Sequence, residues 1–207
     1  MNKSSYLPEE PIAAIATALA PSALAVIRTS GKNSINLVSS IFSRPKALLD
    51  SEPNTTLYGW IVDGKEKIDE VMLAVYKDPK SFTGENMVEI FCHGGTSPVL
   101  AIYKLLLRTG FREAQRGEFS FRAFLNGKTD LTRAEAVREI IESKTNESRS
   151  RAAGRLSGSL EQQLITIKKE LINTLGSIEV EIEYPEDEET ISEAFDTAEL
   201  QKSLQSL

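Results

Sequence analysis

One cysteine (Cys92), one histidine (His93) and one tryptophan (Trp60) are all that the 207 residues hold of those types. A lone cysteine excludes an internal disulfide framework and suits a reducing cytosol. A lone histidine cannot assemble the three or four convergent ligands of a zinc or iron site. Cys92 and His93 are neighbours in a strand-like stretch, so they point to opposite faces and cannot form a catalytic dyad. No apolar run approaches a membrane span, and the first residues, MNKSSYLPEEP, lack a hydrophobic signal core. No G-x-x-x-x-G-K-[ST] or G-x-G-x-x-G run occurs. The net charge of −6 argues against a surface that binds nucleic acid all over.

The composition that remains is that of a soluble globular protein with a real core, 41% hydrophobic and 26% charged. The charge is unevenly placed. Residues 111–155 carry ten Lys/Arg against seven Asp/Glu, whereas residues 179–200 carry ten Asp/Glu and no Lys/Arg. Solvated helix faces of opposite sign are the plain reading of that asymmetry.

Residues 11–29 predict two short strands, about 12–17 and 23–29, with a turn at Pro21-Ser22 and an end at Gly31. Ile35, Leu37, Val38, Ile41 and Phe42 predict a helix over 33–43, capped by Asn33 or Ser34, and a loop follows over 44–55. Leu57–Val62 and Glu70–Tyr76 flank Asp63-Gly64 and read as a hairpin. Met87–Cys92 alternates as a strand, with Val88, Ile90 and Cys92 toward the core and Met87, Glu89 and Phe91 on the other face. A helix over 97–109 begins at Thr96 or Ser97 and stops at Gly110. Further on, 119–126 predicts a short helix broken at Asn126-Gly127. Thr132 and Glu135 have the spacing of a capping box opening a long helix, and Ser157-Gly158-Ser159 kinks or breaks it. Leu164, Ile167, Leu171, Leu175, Ile178 and Ile182 mark a second long amphipathic helix ending before Pro185, and 192–207 reads as helical again. Strands first and long helices later, without βαβ alternation, predict an α+β fold. The expected division is an α+β domain over 1–120 and an antiparallel helical segment over 121–207. The last helical pattern has no cap, the expected mark of a piece of a longer protein.

The stretch FTGENMVEIFCHGG (82–95) gathers most of the chemistry-bearing residue types. Cys92, facing the core, reads as a small buried apolar residue. His93-Gly94-Gly95 before a helix reads as a turn ahead of a phosphate cradle. Glu89 leaves two readings open. One is a solvated strand face. The other is a carboxylate accepting hydrogen bonds from the N–H and NH₂ edge of an aminopyrimidinone ring, with Met87 and Phe91 as an apolar shelf.

Taken in order, IAAIAT (12–17), VIRTSG (26–31), SFTGENMVEIFCHGG (81–95), RGEFSFRAFLNGKTDLTRAEAVREII (116–141) and IEYPEDE (182–188) resemble the MnmE (TrmE) family of tRNA-modification GTPases. The resemblance implies an α+β domain that binds 5-formyl- or 5,10-methylenetetrahydrofolate and dimerises, followed by part of a helical domain. It also implies a GTPase domain beyond residue 207, binding GTP with magnesium and potassium, so that residues 1–207 alone hydrolyse no GTP. The implied setting is cytoplasmic. A homodimer acts with an MnmG-type flavoprotein to place an aminomethyl-type group on C5 of the tRNA wobble uridine. Carried over by position, the folate contacts are Arg28, Glu89 and Lys128, with no catalytic or metal-binding residue. Arg suits an anionic or carbonyl-bearing ligand by its planar fork and Lys as a point charge. Their plainer readings are a strand-end Arg and a loop Lys. ALAPSALA (18–25) replaces a glycine-rich run usual before VIRTSG, and Arg116 and Phe121 replace a usual Pro and Glu. Two alternatives stand beside this one: a stand-alone aminomethyltransferase-like folate enzyme, and a dimerisation module without a ligand.

Overall fold

The structure, a computed structural model, describes residues 10–183. The helix expected over 192–207 lies outside the described residues. The strands are β1 (Ile12–Ile15), β2 (Ser22–Ser30), β3 (Thr55–Asp63), β4 (Glu66–Tyr76), β5 (Met87–Gly94) and β6 (Arg112–Glu113). The helices are α1 (Ser34–Ser39), α2 (Pro45–Leu49), α3 (Thr96–Thr109), α4 (Glu118–Leu125), α5 (Leu131–Glu142), α6 (Asn146–Leu156) and α7 (Ser159–Glu183). The fold is α+β, a sheet-bearing unit followed by helices. Two compact units meet in sequence inside α5, between Ala134 and Glu135.

In the first unit the six strands form one mixed sheet in the order β3-β4-β5-β2-β1-β6. All neighbours are antiparallel except β1 and β6. Strand alternation sorts the residues cleanly. Ile27, Leu73, Val88, Ile90 and Cys92 line one face and pack with Ile35 and Val38 of α1 and Val99, Ile102, Leu105 and Leu106 of α3 in a continuous core. Gly110 ends α3 in the left-handed region, at φ 118°.

The opposite face is built in rows. Arg28 pairs across the strands with Glu89, and Glu89 with Ala74. The next row along holds Val26, Phe91, Met72 and Tyr58. The row on the other side holds Ile12, Ser30, Met87 and Tyr76. Here the structure corrects an expectation. Met87 is only 1% exposed, so it cannot serve as a shelf for a ligand. The loop over residues 77–86 and helix α4 cover that end of the face. The Ser30 hydroxyl bonds Thr83 Oγ1 and Glu85 Oε2, both at 2.7 Å.

Other expectations shift at their ends. α1 stops at Ser39, because Phe42 turns out to bridge Ile61 of β3. Residues 45–49, expected as loop, form α2, which starts on Pro45, a residue suited to a first turn. Gly95 rather than Thr96 or Ser97 is the N-cap of α3. The start of α5 is stabilised by Asp130, whose Oδ1 accepts from the Arg133 amide at 2.9 Å, instead of by Thr132. The helix opened there ends at Glu142. Thr145 then caps α6 in a true capping box with Ser148. The break at Ser157–Gly158 occurs as expected, with Gly158 at φ 87°.

In the second unit α6 and α7 are packed neighbours, and Arg155 forms an ion pair with Glu139. Ala136 and Ala152 are its buried apolar residues among those described. No helix among the described residues is long and apolar enough to cross a membrane.

Candidate functional site

Arg28 and Glu89 stand opposite one another on β2 and β5 and form a direct ion pair. Arg28 Nη2 lies 2.6 Å and Nε 2.7 Å from Glu89 Oε1. Both guanidinium donors converge on one carboxylate oxygen, a charge-assisted contact of the strong kind. Among the described residues only the Tyr76 hydroxyl donates to Glu89 Oε2, at 3.4 Å. Burial, then the charge and hydrogen bond of Glu89, push the Tyr76 phenol above its ordinary value, so its O–H remains a donor at neutral pH. The Glu89 side chain is 14% exposed and that of Arg28 31%, so the pair sits in a recess that still opens outward.

Two aromatic rings flank the Arg28 guanidinium. Its central carbon lies 5.3 Å from the ring centre of Phe82, in the loop 77–86, and 5.7 Å from that of Phe119, on α4. Both distances fall in the cation–π range. Phe82 is 43% exposed, so one ring stands at the mouth of the recess. The recess therefore offers a fixed carboxylate, a guanidinium and aromatic faces. That set suits a flat, hydrogen-bonding heterocycle with anionic substituents.

Lys128 follows α4 and is exposed. Its Nζ donates to the Pro79 carbonyl at 3.0 Å, and its stem packs 3.2 Å from where a Cβ on Gly84 would sit. Gly84 has φ +79°, a conformation only glycine adopts freely, and a Cβ there would crowd Asn126 at 3.0 Å. Thus Arg28 and Glu89 touch directly, while Lys128 is anchored to the loop that carries Phe82.

The glycine pair after His93 is not a separate turn: Gly94 ends β5 and Gly95 is the N-cap of α3. His93 and Gly94 continue β5, and Gly94 packs against Ser22 so tightly that a Cβ would fall 2.1 Å from its Oγ. His93 donates its backbone N–H to Asp69 Oδ2 at 2.8 Å, and its Nδ1 pairs with Asp69 Oδ1 at 2.7 Å. Burial, reinforced by the charge of Asp69, pushes the Cys92 thiol up to about 11, so it is no thiolate nucleophile at neutral pH. Among the described residues no group of three or more His, Cys, Asp or Glu could hold a metal ion.

A family model described as GTP-binding protein TrmE N-terminus matches residues 11–128, and one described as MnmE helical domain matches residues 131–207. The chain belongs to the MnmE (TrmE) family. It is 56% identical over 197 residues to the tRNA modification GTPase MnmE of Treponema denticola, an alignment covering 94% of this chain and 42% of that protein. Against the protein of the same name from Treponema pallidum (strain Nichols) the identity is 48% over 207 residues, covering 100% and 42%. For that of Borrelia turicatae it is 45% over 190 residues, covering 91% and 41%. The chain thus spans about 42% of the length of the curated MnmE relatives it matches.

Within the MnmE frame, Tyr76, Phe82 and Phe119 are contacts of the recess that strand and helix patterns alone do not single out. Phe82 and Phe119 lie inside the FTGE and GEF stretches that carry the family resemblance. Tyr76 closes a hairpin strand, and only the register with Met87 brings its hydroxyl to Glu89. Residues 127–129 read Gly-Lys-Thr, the last three positions of a phosphate loop, but Arg122 stands where its first glycine would be.

Proposed function

We propose that the α+β unit binds a one-carbon tetrahydrofolate, 5-formyl- or 5,10-methylenetetrahydrofolate, in the recess formed by Arg28 and Glu89, with Lys128 at its rim. The observation that carries the reading is the half-buried Arg28–Glu89 pair with the rings of Phe82 and Phe119 within cation–π range of its guanidinium. Glu89 Oε2 accepts a donor from the pteridine edge, and Arg28 fixes the orientation of that carboxylate. Phe82 and Phe119 offer faces to a flat ring. Lys128 supplies a positive charge for an acid tail. When bound, the folate supplies the one-carbon unit. The residues of this chain bind it, orient it and shield it from water.

In this reading the α+β unit is the folate-binding and dimerisation domain, its expected bounds of 1–120 widened to take in Arg122 and Lys128, and the segment after it is part of the helical domain. The protein acts in the cytoplasm as a homodimer with a flavoprotein of the MnmG type. It contributes to an aminomethyl-type modification at C5 of the tRNA wobble uridine. The relatives carry the name tRNA modification GTPase, which supports the reaction class. GTP hydrolysis is assigned to parts of the relatives that these 207 residues do not match, and no phosphate loop occurs in the 207.

The test is a calorimetric titration of the chain with 5-formyltetrahydrofolate, together with equilibrium ultracentrifugation. Saturable binding by a dimer supports the proposal. A dimer without binding leaves a pure dimerisation module, and a monomer at micromolar concentration removes the dimer.

A further inference from the structure

Arg122 is 0% exposed. A guanidinium removed from water is costly unless carboxylates surround it. Its Nη2 donates to Glu118 Oε1 at 3.0 Å, one turn earlier on α4. Its Nη1 donates to both oxygens of Glu85, at 3.3 and 3.1 Å. Glu85 Oε2 also accepts the Ser30 hydroxyl at 2.7 Å. One cation therefore ties together a helix, the loop 77–86 and strand β2, two residues from Arg28.

The two carboxylates are not held equally. Glu118 is fixed independently of Arg122. Arg112 donates to it with two nitrogens, at 2.6 and 3.1 Å, and the Gln115 amide at 2.7 Å. Glu85 has Arg122 and Ser30. Its loop is also fastened at Thr83, by the Ser30 hydroxyl at 2.7 Å and by Asn126 to the carbonyl at 2.7 Å, at the Pro79 carbonyl by Lys128 at 3.0 Å, and at its end by Asn86, which bonds the Gly31 amide, the Ser34 hydroxyl and the Lys32 carbonyl at 3.0, 2.6 and 3.1 Å. Phe82 rides on that loop, and its 43% exposure means apolar burial does little to hold it.

We propose that Arg122 is a positioning residue for the recess: through Glu85 it latches the loop 77–86 onto the sheet and so keeps Phe82 against Arg28. The part of this inference that concerns the ligand rests on the folate reading above. The latch itself does not.

The experiment compares the whole chain with Arg122→Lys, Glu85→Ala and, as a control, Val99→Ala on the core-facing side of α3. Three quantities are read: amide hydrogen exchange over residues 77–86, the thermal midpoint, and affinity for 5-formyltetrahydrofolate. Glu85→Ala removes the loop arm, and the Ser30–Glu85 hydrogen bond with it, and leaves the Arg122–Glu118 pair and the Ser30–Thr83 bond in place, so it carries the test if Arg122→Lys does not fold. In Glu85→Ala, exchange in the loop rises by about tenfold or more and affinity falls by about tenfold. Arg122→Lys keeps the charge but loses the fork, and it shifts both quantities in the same direction by less. Val99→Ala lowers the midpoint while loop exchange and affinity stay as in the wild type. Wild-type loop exchange in Glu85→Ala overturns the latch. Faster loop exchange with unchanged affinity overturns its role in positioning. A wild-type chain that does not bind 5-formyltetrahydrofolate overturns the folate reading instead, and loop exchange then decides the latch alone.

Discussion

The two units use apolar residues in different ways. In the α+β unit the hydrophobic core runs unbroken from Ala13 to Phe111 and places strands and helices face to face. In the helical unit the stripe predicted from spacing is present on α7, yet Leu164, Leu171, Leu175 and Ile182 are 52%, 54%, 59% and 74% exposed. In this chain, about 42% of the length of its relatives, the same periodicity marks a core contact in one unit and in the other a face left largely exposed, with Ile167 and Ile178 half-buried. Period reports the shape of an element, whereas burial depends on what is folded against it. The recess follows the same division. Its charged pair rests on a rigid sheet, while its aromatic walls come from a loop and a short helix fastened by ion pairs.

The widest separation between the units comes from core truncation. Leu73→Ala, at a fully buried site on β4, is expected to lower unfolding free energy by about 2–5 kcal/mol in chemical denaturation. A loss below about 1 kcal/mol would contradict a close-packed core in the α+β unit.

Acid comes next. Burial pushes the Glu118 carboxyl up, but hydrogen bonds from Arg112, the Gln115 amide and Arg122, with the charge of Arg112, outweigh it and hold the group at about 2. Its folded value lies below its ordinary 4.5, so the stability it contributes is present above about 4.5 and is lost as pH falls toward 2. A shift of that size corresponds to about 3 kcal/mol. Denaturation curves between those pH values should show the loss in the α+β unit, and Glu118→Gln should flatten it. An equally steep loss in that variant would assign the acid sensitivity to other carboxylates.

The smallest effect is expected on α7. Leu175→Ala should change stability by no more than about 0.5 kcal/mol, because the side chain is already exposed. A loss of several times that, measured on the same chain, would mean that α7 is covered in solution, and the contrast between the units would narrow.

Much of the α+β unit was legible in its sequence because strand alternation and turn residues act locally. The alternation over 87–92 assigned Val88, Ile90 and Cys92 to the core, and each is at most 1% exposed. The same pattern could not foresee that Met87 is covered too. Its cover is a loop and a helix held by Ser30, Glu85 and Arg122, contacts that span up to 55 residues of sequence. Helix starts were misread for a related reason. Several Ser, Thr and Asp residues compete near each terminus, and Asp130, not Thr132, reaches the free amide. For the site, Glu89 stood out as a carboxylate in an apolar strand. Its direct pairing with Arg28 required the β2–β5 register, and the rings of Phe82 and Phe119 required the fold.

The central claim is that the Arg28–Glu89 recess takes the pteridine of a tetrahydrofolate. Calorimetric titration of the wild-type chain and of Glu89→Ala with 5-formyltetrahydrofolate tests it most directly. The expected result is saturable binding by the wild type and a loss of about 1–3 kcal/mol in the variant, the usual cost of leaving buried donors unpaired. Wild-type affinity in Glu89→Ala, with the fold intact by circular dichroism, would contradict it.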